Sequence, residues 1–212
     1  MPADNTVLMF DFDGVIVDSF SVCFGVAKTV YPTMTEERYR GYFHGNIYDA
    51  NDKTVASTKL DQKSTQDFFT LYAGRLPARA PYAGMREAIE TLSQSHALVI
   101  VSSCLTPILE TYLHTHGLLD QFHSVLGADV HESKVAKAHM VFDRLHTRPE
   151  HCLFVTDTVG DVREALKAGV ASIGVSWGFH SSEELRGAGP FAVVDRPAQI
   201  VEETNRFYDR RV

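Results

Sequence analysis

Two carboxylates directly follow an apolar run near the start of the chain. The run from Val7 to Phe10 has the length and composition of a short buried strand, and Asp11, Asp13 and Gly14 follow it. Side chains two positions apart in a strand point to the same side, where two carboxylates repel unless a cation lies between them or one binds a proton. Proteins hold Mg²⁺ with a few carboxylates, waters and a substrate phosphate. The spacing therefore predicts a divalent-cation site, and a solvated strand end with a turn at Gly14 is the alternative.

Polar residues also follow two other predicted strands. The predicted strand Ala97–Val101 is followed by Ser102 and Ser103. The predicted strand Cys152–Val155 is followed by Thr156 and Asp157. Ligands of a doubly wound parallel sheet bind beyond the carboxyl ends of its strands. We therefore expect these polar side chains to converge with Asp11 and Asp13 at one edge of a sheet.

The order of predicted elements indicates the fold class. Strands are predicted at Val7–Phe10, Ala97–Val101, Ser124–Leu126, Cys152–Val155, Ala171–Val175 and Phe191–Val194, and helices at Met85–Gln94, Pro107–His116, Val135–Leu145, Val162–Lys167, Ser182–Arg186 and Pro197–Tyr208. Alternation of this kind is typical of a parallel sheet covered by helices on both faces. We predict an α/β fold with a three-layer, Rossmann-like parallel sheet core.

Only helices are predicted between the first strand and the second. The candidates run from Asp18 and Ser19 to about Tyr31, then over Met34–Tyr42, Ile47–Leu60 and Gln66–Leu76. The alternating pattern begins again after a stretch that contains the turn-forming residues Pro77, Pro81 and Gly84. We therefore predict a Rossmann-like core formed by residues 1–16 and 83–212, with a small all-helical cap inserted at residues 17–82.

Taken with three later segments, the stretch from Val7 to Ser19 resembles motif I of the haloacid dehalogenase superfamily, the aspartate-nucleophile phosphohydrolases. It is most similar to the phosphoglycolate phosphatase-like branch, in which a helical cap follows motif I, and the resemblance covers nearly the whole chain. It implies that Asp11 is the nucleophile that forms an aspartyl-phosphate and that Asp13 is the general acid and base. Because dehalogenase members lack an aspartate at the second position, Asp13 indicates phosphoryl transfer.

The resemblance also implies a set of phosphate ligands. Ser102 matches motif II, where its hydroxyl and the backbone N–H of Ser103 would hold phosphoryl oxygens. Lys134 matches motif III and would neutralise charge on the nucleophile and the phosphate. The proline common after this lysine in the branch is absent, so Lys137, one helical turn further on, is a rival.

Asp157 and Asp161 match motif IV, which implies Mg²⁺ as the cofactor. Asp157 would bind the ion directly, together with Asp11 and the backbone carbonyl of Asp13. Asp161 would act through water or by orienting Lys134, and a helix N-cap is its alternative role. The cation would offset the repulsion between a carboxylate nucleophile and a dianionic substrate.

The cap of related enzymes carries a substrate-reading loop. His44 and Asn46 lie at the matching place in this sequence, and Arg40 and Lys53 are further candidates. A solvated position is the alternative for each of them.

Composition narrows the partners and the compartment. The formal net charge of −7 does not favour a nucleic-acid partner, and no apolar run approaches the roughly 20 residues of a membrane span. No signal peptide is visible at the start, and three scattered cysteines suggest reduced thiols in the cytoplasm. We expect a cytoplasmic monomer whose partner is a small phosphorylated metabolite.

The function that we predict is that of a Mg²⁺-dependent phosphatase, which hydrolyses a small phosphomonoester through an aspartyl-phosphate intermediate. The first alternative is a phosphomutase of the β-phosphoglucomutase type. Such mutases usually carry a histidine twelve positions after the nucleophile, where this chain has Cys23. The second alternative is a phosphate-binding protein without turnover.

Overall fold

A six-stranded parallel sheet forms the centre of the protein. The computed structural model describes residues 6–48 and 62–210. The strands are β1 Val7–Phe10, β2 Ala97–Val101, β3 Ser124–Leu126, β4 Cys152–Thr156, β5 Ala171–Val175 and β6 Ala192–Val194, in the spatial order β3-β2-β1-β4-β5-β6. The first strand is therefore central, and the chain order reverses beside it. This topology confirms the predicted α/β, Rossmann-like class and brings the ends of β1, β2 and β4 together at one edge.

Six helices follow the pattern predicted for the alternating part of the chain. They are α4 Met85–Ser93, α5 Thr106–Thr115, α6 Lys134–Leu145, α7 Val159–Lys167, α8 Ser182–Ala188 and α9 Ala198–Asp209. Three of them begin earlier than predicted, and α5 does so by one residue. Helix α6 begins at Lys134 because Ser133 caps it, and α7 begins at Val159 because Thr158 caps it.

The two faces of the sheet bury separate apolar clusters. Even-numbered residues of β1, such as Leu8, pack with apolar side chains of α4, α5 and α9. Odd-numbered residues, such as Met9, pack with side chains of α6 and α7. Strands buried on both faces are apolar at most positions, which is why nearly continuous apolar runs predicted them.

Helices also occupy the described chain between β1 and α4. They are α1 Phe20–Val30, α2 Glu36–Gly41 and α3 Gln62–Arg75, with short 3₁₀ turns at Tyr42–His44 and Leu76–Ala78. Helix α2 is shorter than the predicted Met34–Tyr42 because Thr35 caps it, accepting a hydrogen bond from the N–H of Arg38 at 3.2 Å. Helix α3 begins before the predicted Gln66 and ends at Arg75. Most of the predicted helix Ile47–Leu60 lies outside the described residues.

The helical segment leaves and rejoins the sheet at neighbouring points. Val17 forms a single antiparallel bridge with Pro81, and a parallel one with Asp13. Helices α1 and α3 pack against each other between these two points. Within residues 6–48 and 62–210, no helix combines the length and apolar character needed to cross a membrane.

Candidate active site

Asp11 lies immediately beyond the end of β1, where its carboxylate is fixed from both sides. The Asp11 N–H donates to the carbonyl of Val155 at 2.9 Å, which continues the pairing of β1 with β4. Its Oδ1 accepts the N–H of Phe12 at 2.7 Å, and its Oδ2 lies 2.8 Å from Nζ of Lys134. Burial raises the pKa of Asp11 well above its usual value, while the Lys134 ammonium opposes that effect.

Lys134 bridges two carboxylates from different parts of the chain. As the first residue of α6 it reaches the strand edge, where its Nζ lies 2.8 Å from Oδ2 of Asp11 and 2.6 Å from Oδ2 of Asp161. Burial alone would lower the pKa of Lys134, but the two carboxylates outweigh burial and raise it above the usual value. Lys134 is therefore a permanent cation between two acids.

Lys137, the rival lysine, has other partners. Its buried Nζ donates to the carbonyl oxygen of Ser102 at 2.5 Å and lies 3.4 Å from that of Gly127. The structure thus gives Lys134 the contact with Asp11, and gives Lys137 a contact with the loop after β2.

Asp161 lies in the first turn of α7 and faces Lys134. Its Oδ2 accepts a hydrogen bond from the hydroxyl of Thr156 at 2.7 Å. The N-cap of this helix is Thr158, whose hydroxyl accepts the N–H of Asp161 at 3.3 Å, so the alternative role of Asp161 as the N-cap is wrong. Burial would raise the pKa of Asp161, but Lys134 and the hydrogen bonds hold it below the usual value.

Asp157 follows β4 and is fully buried. Its Oδ2 accepts the N–H of Phe179 at 2.7 Å, whereas its Oδ1 has no hydrogen-bond partner among the described residues. Burial raises the pKa of Asp157 to about 8, although the Phe179 N–H opposes it. A Cβ at Gly14 would lie 2.0 Å from Oδ2 of Asp157, and one at Gly178 would lie 2.2 Å from it. Only glycine fits at these two positions beside the carboxylate.

The carboxylate of Asp13 faces the inserted helices. Its Oδ1 accepts a hydrogen bond from the hydroxyl of Tyr72 in α3, and Sγ of Cys23 in α1 lies 4.0 Å away. Strand β1 ends at Phe10, as predicted, and both carboxylates lie beyond its end. The two carboxylates have different partners, although both face the same cavity.

The loop after β2 presents two serines at the same edge. The hydroxyl of Ser102 accepts the N–H of Cys104 at 3.1 Å. The carbonyl of Ser103 accepts the hydroxyl of Tyr48, from the inserted segment, at 2.7 Å. Both serines line the cavity that Asp11 faces.

One cavity collects most of the predicted site residues. Asp11, Asp13, Ser102, Ser103, Lys134 and Asp161 line it, together with Phe43, Gly45, Asn46, Ile47, Thr158, Glu164 and Phe179. One wall thus comes from the strand ends, and the other comes from the segment after α2. Such a site combines a carboxylate, a cation and hydroxyl donors in a largely buried space, which suits chemistry on an anionic group.

Asn46 belongs to the cavity, but His44 does not. Asn46 donates through Nδ2 to Oε1 of Glu164 at 3.1 Å, and the same Oε1 accepts the N–H of Lys134 at 3.1 Å. The ring of His44 packs instead against the ring of His180 at 4.5 Å between centroids. Of the other candidates, Arg40 donates to the carbonyl of Phe179, and Lys53 lies outside the described residues.

His44 belongs to a separate cluster of potential metal ligands. Donor atoms of His44, His180 and Glu184 lie within 4.8 Å of one another, the one such group in residues 6–48 and 62–210. The N–H of Val159 donates to Nδ1 of His180 at 2.9 Å, and Nε2 lies 3.3 Å from the carbonyl of Arg40. Because both ring nitrogens are engaged, His180 has no lone pair for a metal, and the cluster is not a metal site.

The sequence did not indicate Tyr48, Tyr72 or Glu164, whose side chains form hydrogen bonds with predicted site residues. Tyr72 lies within the predicted helix Gln66–Leu76, where its position indicates no role, and nothing local distinguishes Tyr48. Glu164 carried a signal, because it lies three positions after Asp161 and therefore on the same side of α7.

Comparison with known proteins agrees with this arrangement. The family of haloacid dehalogenase-like hydrolases matches residues 8–175, which extends from β1 to the end of β5. The chain belongs to this family. The predicted membership is confirmed, and the match contains every motif residue of the cavity.

Relatives of this hydrolase align over nearly its whole length. A phosphoglycolate phosphatase of Vibrio parahaemolyticus is 26% identical over 94% of this chain and 96% of its own. One of Synechococcus elongatus is 24% identical over 92% of this chain and 95% of its own. With the family match, these relatives confirm the prediction of a phosphohydrolase of the haloacid dehalogenase type.

Solved structures share the fold of this hydrolase. A haloacid dehalogenase-like family hydrolase from Streptococcus pneumoniae superposes with a TM-score of 0.79 at 18% identity, covering 94% of this chain and 98% of that one. A predicted phosphoglycolate phosphatase from Haemophilus somnus gives 0.72 at 22% identity, with coverage of 94% and 97%.

Proposed function

We propose that this hydrolase is a Mg²⁺-dependent phosphatase, which hydrolyses a small phosphomonoester through an aspartyl-phosphate on Asp11. The observation that carries the proposal is the bridge from Lys134 to Asp11 and Asp161 inside a cavity also lined by Ser102 and Ser103. A fixed ammonium beside a carboxylate opposes the effect of burial on the pKa of that carboxylate and attracts a phosphate dianion. The names of the curated relatives, phosphoglycolate phosphatases, support the same class of substrate.

In this mechanism Asp11 attacks phosphorus through a carboxylate oxygen. The N–H of Phe12 holds Oδ1, and Lys134 holds Oδ2, so the group enters the reaction already oriented. The P–O bond to the leaving alcohol breaks as the bond to Asp11 forms. Water then attacks the acyl-phosphate, releases inorganic phosphate and restores the carboxylate.

Asp13 transfers the protons in both half-reactions. As an acid it protonates the leaving oxygen, and as a base it then takes a proton from the attacking water. Burial raises the pKa of Asp13, which favours the acid form, while the hydrogen bond from Tyr72 opposes this. These opposing effects on its pKa suit Asp13 to act as an acid in the first half-reaction and as a base in the second.

Ser102, Ser103 and Lys134 bind the transferring phosphoryl group. The hydroxyl of Ser102 and the N–H of Ser103 donate to its oxygens. The ammonium of Lys134 neutralises negative charge on both the phosphoryl group and Asp11. Each of these donors is fixed by the backbone or by buried partners, so little reorganisation accompanies the reaction.

The residues fit a Mg²⁺ ion. Oδ1 of Asp157 is a buried carboxylate oxygen with no hydrogen-bond partner among the described residues, and the available donors are the oxygen ligands that Mg²⁺ prefers. Asp11, Asp157 and the carbonyl of Asp13 would hold the ion, and Asp161 would act through water. When bound, the cation supplies charge neutralisation between the carboxylate and the phosphate.

We assign residues 17–82 to a cap that selects the substrate, and residues 1–16 and 83–212 to the catalytic core. The bridge between Val17 and Pro81 supports these boundaries, because the segment leaves and returns at one place. Asn46 is the substrate-reading residue in this proposal, since it lines the cavity and His44 does not. The enzyme would act as a monomer on a small phosphorylated metabolite in the cytoplasm, where its three buried free cysteines stay reduced.

The contacts of Cys23 favour a phosphatase over a mutase. This thiol is buried beside Asp13, and burial raises its pKa well above the usual value, so it remains neutral. A neutral thiol does not replace the histidine expected there in a mutase of the β-phosphoglucomutase type.

Phosphate release from a panel of phosphomonoesters that includes 2-phosphoglycolate and p-nitrophenyl phosphate tests the proposal. We expect release that requires Mg²⁺, stops on chelation and is lost in Asp11→Asn. Folded protein that releases phosphate from none of these esters would contradict the proposal. Isomerisation of β-glucose 1-phosphate with a bisphosphate primer, without net phosphate release, would identify the mutase instead.

A further inference from the structure

Lys137 is a buried cation that has no part in the mechanism above. It lies one turn after Lys134 in α6, and its side chain is completely shielded from solvent. A buried ammonium is costly unless it is hydrogen-bonded. Its partners are two backbone carbonyl oxygens, that of Ser102 at 2.5 Å and that of Gly127 at 3.4 Å. These carbonyls belong to the loops that follow β2 and β3.

We propose that Lys137 is a positioning residue for phosphate binding, which acts through the peptide group that joins Ser102 to Ser103. A trans peptide is planar, so its N–H points away from its carbonyl oxygen, and the described chain contains no cis peptide. The Ser102 carbonyl is directed at Lys137, and Ser103 lines the cavity. The N–H of Ser103 therefore points away from Lys137, toward the phosphate site.

The ammonium strengthens this N–H as a donor. A charge-assisted hydrogen bond to a carbonyl oxygen withdraws electron density from the peptide, and hydrogen bonds in series polarise one another. Through this peptide group, the positive charge of Lys137 also stabilises the phosphoryl oxygens, although Lys137 itself does not enter the cavity. Lys134 acts on the same group directly, so the two lysines of α6 have complementary roles.

The loop that Lys137 contacts is also held in a fixed position. A Cβ at Gly127 would lie 2.4 Å from the backbone N of Thr106 and 2.6 Å from the carbonyl oxygen of Cys104, so the loops after β2 and β3 touch through their backbones. The N–H of Ala128 donates to that carbonyl of Cys104 at 2.8 Å. Because this loop is rigid, the hydrogen bond from Lys137 to the Ser102 carbonyl also fixes the orientation of the Ser103 N–H.

The charges around Lys137 fit this role. Burial lowers its pKa to about 8, and the neighbouring Lys134 adds to that effect, whereas Asp11, Asp161 and Glu164 oppose it. The positive charge of Lys137 also interacts with the carboxylate of Asp129. No carboxylate of the described residues forms an ion pair with Lys137, so its charge remains available to the Ser102 carbonyl.

The inference rests on the proposed phosphatase function, and phosphate binding tests it separately from turnover. Lys137→Met removes the charge and keeps the length of the side chain, and Lys137→Gln keeps a neutral donor. Lys167→Met, which removes an exposed lysine of α7, is the matched control. The measurements are the inhibition constant of inorganic phosphate in the presence of Mg²⁺, kcat and KM, and the amide proton shift of Ser103 on phosphate addition.

We expect the inhibition constant of phosphate to rise about tenfold in Lys137→Met and less in Lys137→Gln. Loss of a direct donor typically costs about 10²–10³ in rate, and the effect of Lys137 should be smaller because it acts through a peptide group. The Ser103 amide should shift less on phosphate addition in both variants, while Lys167→Met matches the wild type. Unchanged phosphate inhibition and an unchanged Ser103 shift would overturn the inference and leave the phosphatase intact. Failure of both Lys137 variants to fold would also overturn it, because the lysine would then be structural. Wild-type protein that binds phosphate without turnover would refute the proposed function alone.

Discussion

Tyr72 donates its hydroxyl to the carboxylate of Asp13, and so connects the last helix of the inserted segment to the proposed acid of the core. Tyr72 is buried, and its ring stacks on that of Phe68 at 6.0 Å, which fixes the hydroxyl in place. The proposed general acid is therefore oriented by a residue of the part that we assign to substrate selection.

Tyr72→Phe should lower kcat about tenfold, because a hydrogen bond to a charged group typically contributes about 1.5–3 kcal/mol. Alkyl phosphates should lose more than p-nitrophenyl phosphate. A nitrophenolate leaves without a proton, so its hydrolysis depends on Asp13 in one step and not in two. Steady-state kinetics on both substrates check this.

Tyr112→Phe is the control for Tyr72→Phe, because the buried Tyr112 hydroxyl has no hydrogen-bond partner among the described residues. Equal losses in the two variants would show that Tyr72 acts through packing alone.

Asp11→Asn should abolish turnover, with a loss of at least about 10³-fold, because an amide cannot form the acyl-phosphate. The variant should be at least as stable as the wild type. Burial raises the pKa of Asp11, so the charged carboxylate destabilises the folded state near neutral pH, and the amide removes that charge.

Phosphate release and thermal melting measure the two effects of Asp11→Asn. Asp143→Asn, on the exposed side of α6, should change neither. Turnover in Asp11→Asn above that of the buffer would remove the nucleophile assignment.

Mg²⁺ should stabilise the protein more at pH 8 than at pH 6. The pKa of Asp157 is raised to about 8 in the metal-free protein, so the folded state binds more protons than the unfolded state between the usual carboxyl pKa and about 8. The free energy of unfolding therefore falls as pH rises through that window. Mg²⁺ competes with the proton and restores stability where Asp157 is ionised.

Melting temperatures with Mg²⁺ and with chelator at the two pH values check this. Asp157→Asn should lose most of the Mg²⁺ effect. The same stabilisation at both pH values in the wild type would count against Asp157 as a ligand.

Asn46 and Glu164 should be coupled in substrate binding. Oε1 of Glu164 accepts hydrogen bonds from both Asn46 and the N–H of Lys134, so it fixes the cavity wall relative to the lysine. Asn46→Ala and Glu164→Ala should each raise KM more than they lower kcat. In the double variant the effects should be non-additive, by about 0.5–3 kcal/mol in kcat/KM.

Glu110→Ala, an exposed position on α5, combined with Asn46→Ala is the control cycle and should be additive. Additive effects of Asn46→Ala and Glu164→Ala would refute the coupling.

The sheet and the carboxylates at its edge were predictable from the sequence because both depend on local patterns. Buried parallel strands are continuous apolar runs, and four of the six strands have the predicted bounds. Asp11 and Asp157 follow two such strands, so the parallel arrangement alone brings them to one edge.

The spacing of residues alone does not predict contacts across long stretches of chain. Lys134 and Lys137 lie on the same side of one helix, and spacing cannot distinguish them. The structure distinguishes them because the first residue of α6 reaches Asp11, whereas the next turn reaches the Ser102 carbonyl. The start of α3 was missed for another reason: its first turn from Gln62 is polar and has no helical apolar periodicity.

The bridge between Val17 and Pro81 has a consequence for how selectivity can diverge in this fold. Because the helical segment joins the core through two adjacent chain crossings, one excision at that junction removes it without interrupting any strand. A chimera that exchanges residues 17–82 with those of a relative that keeps a tyrosine in place of Tyr72 should thus keep the chemistry of the sheet edge and acquire the ester preference of the donor.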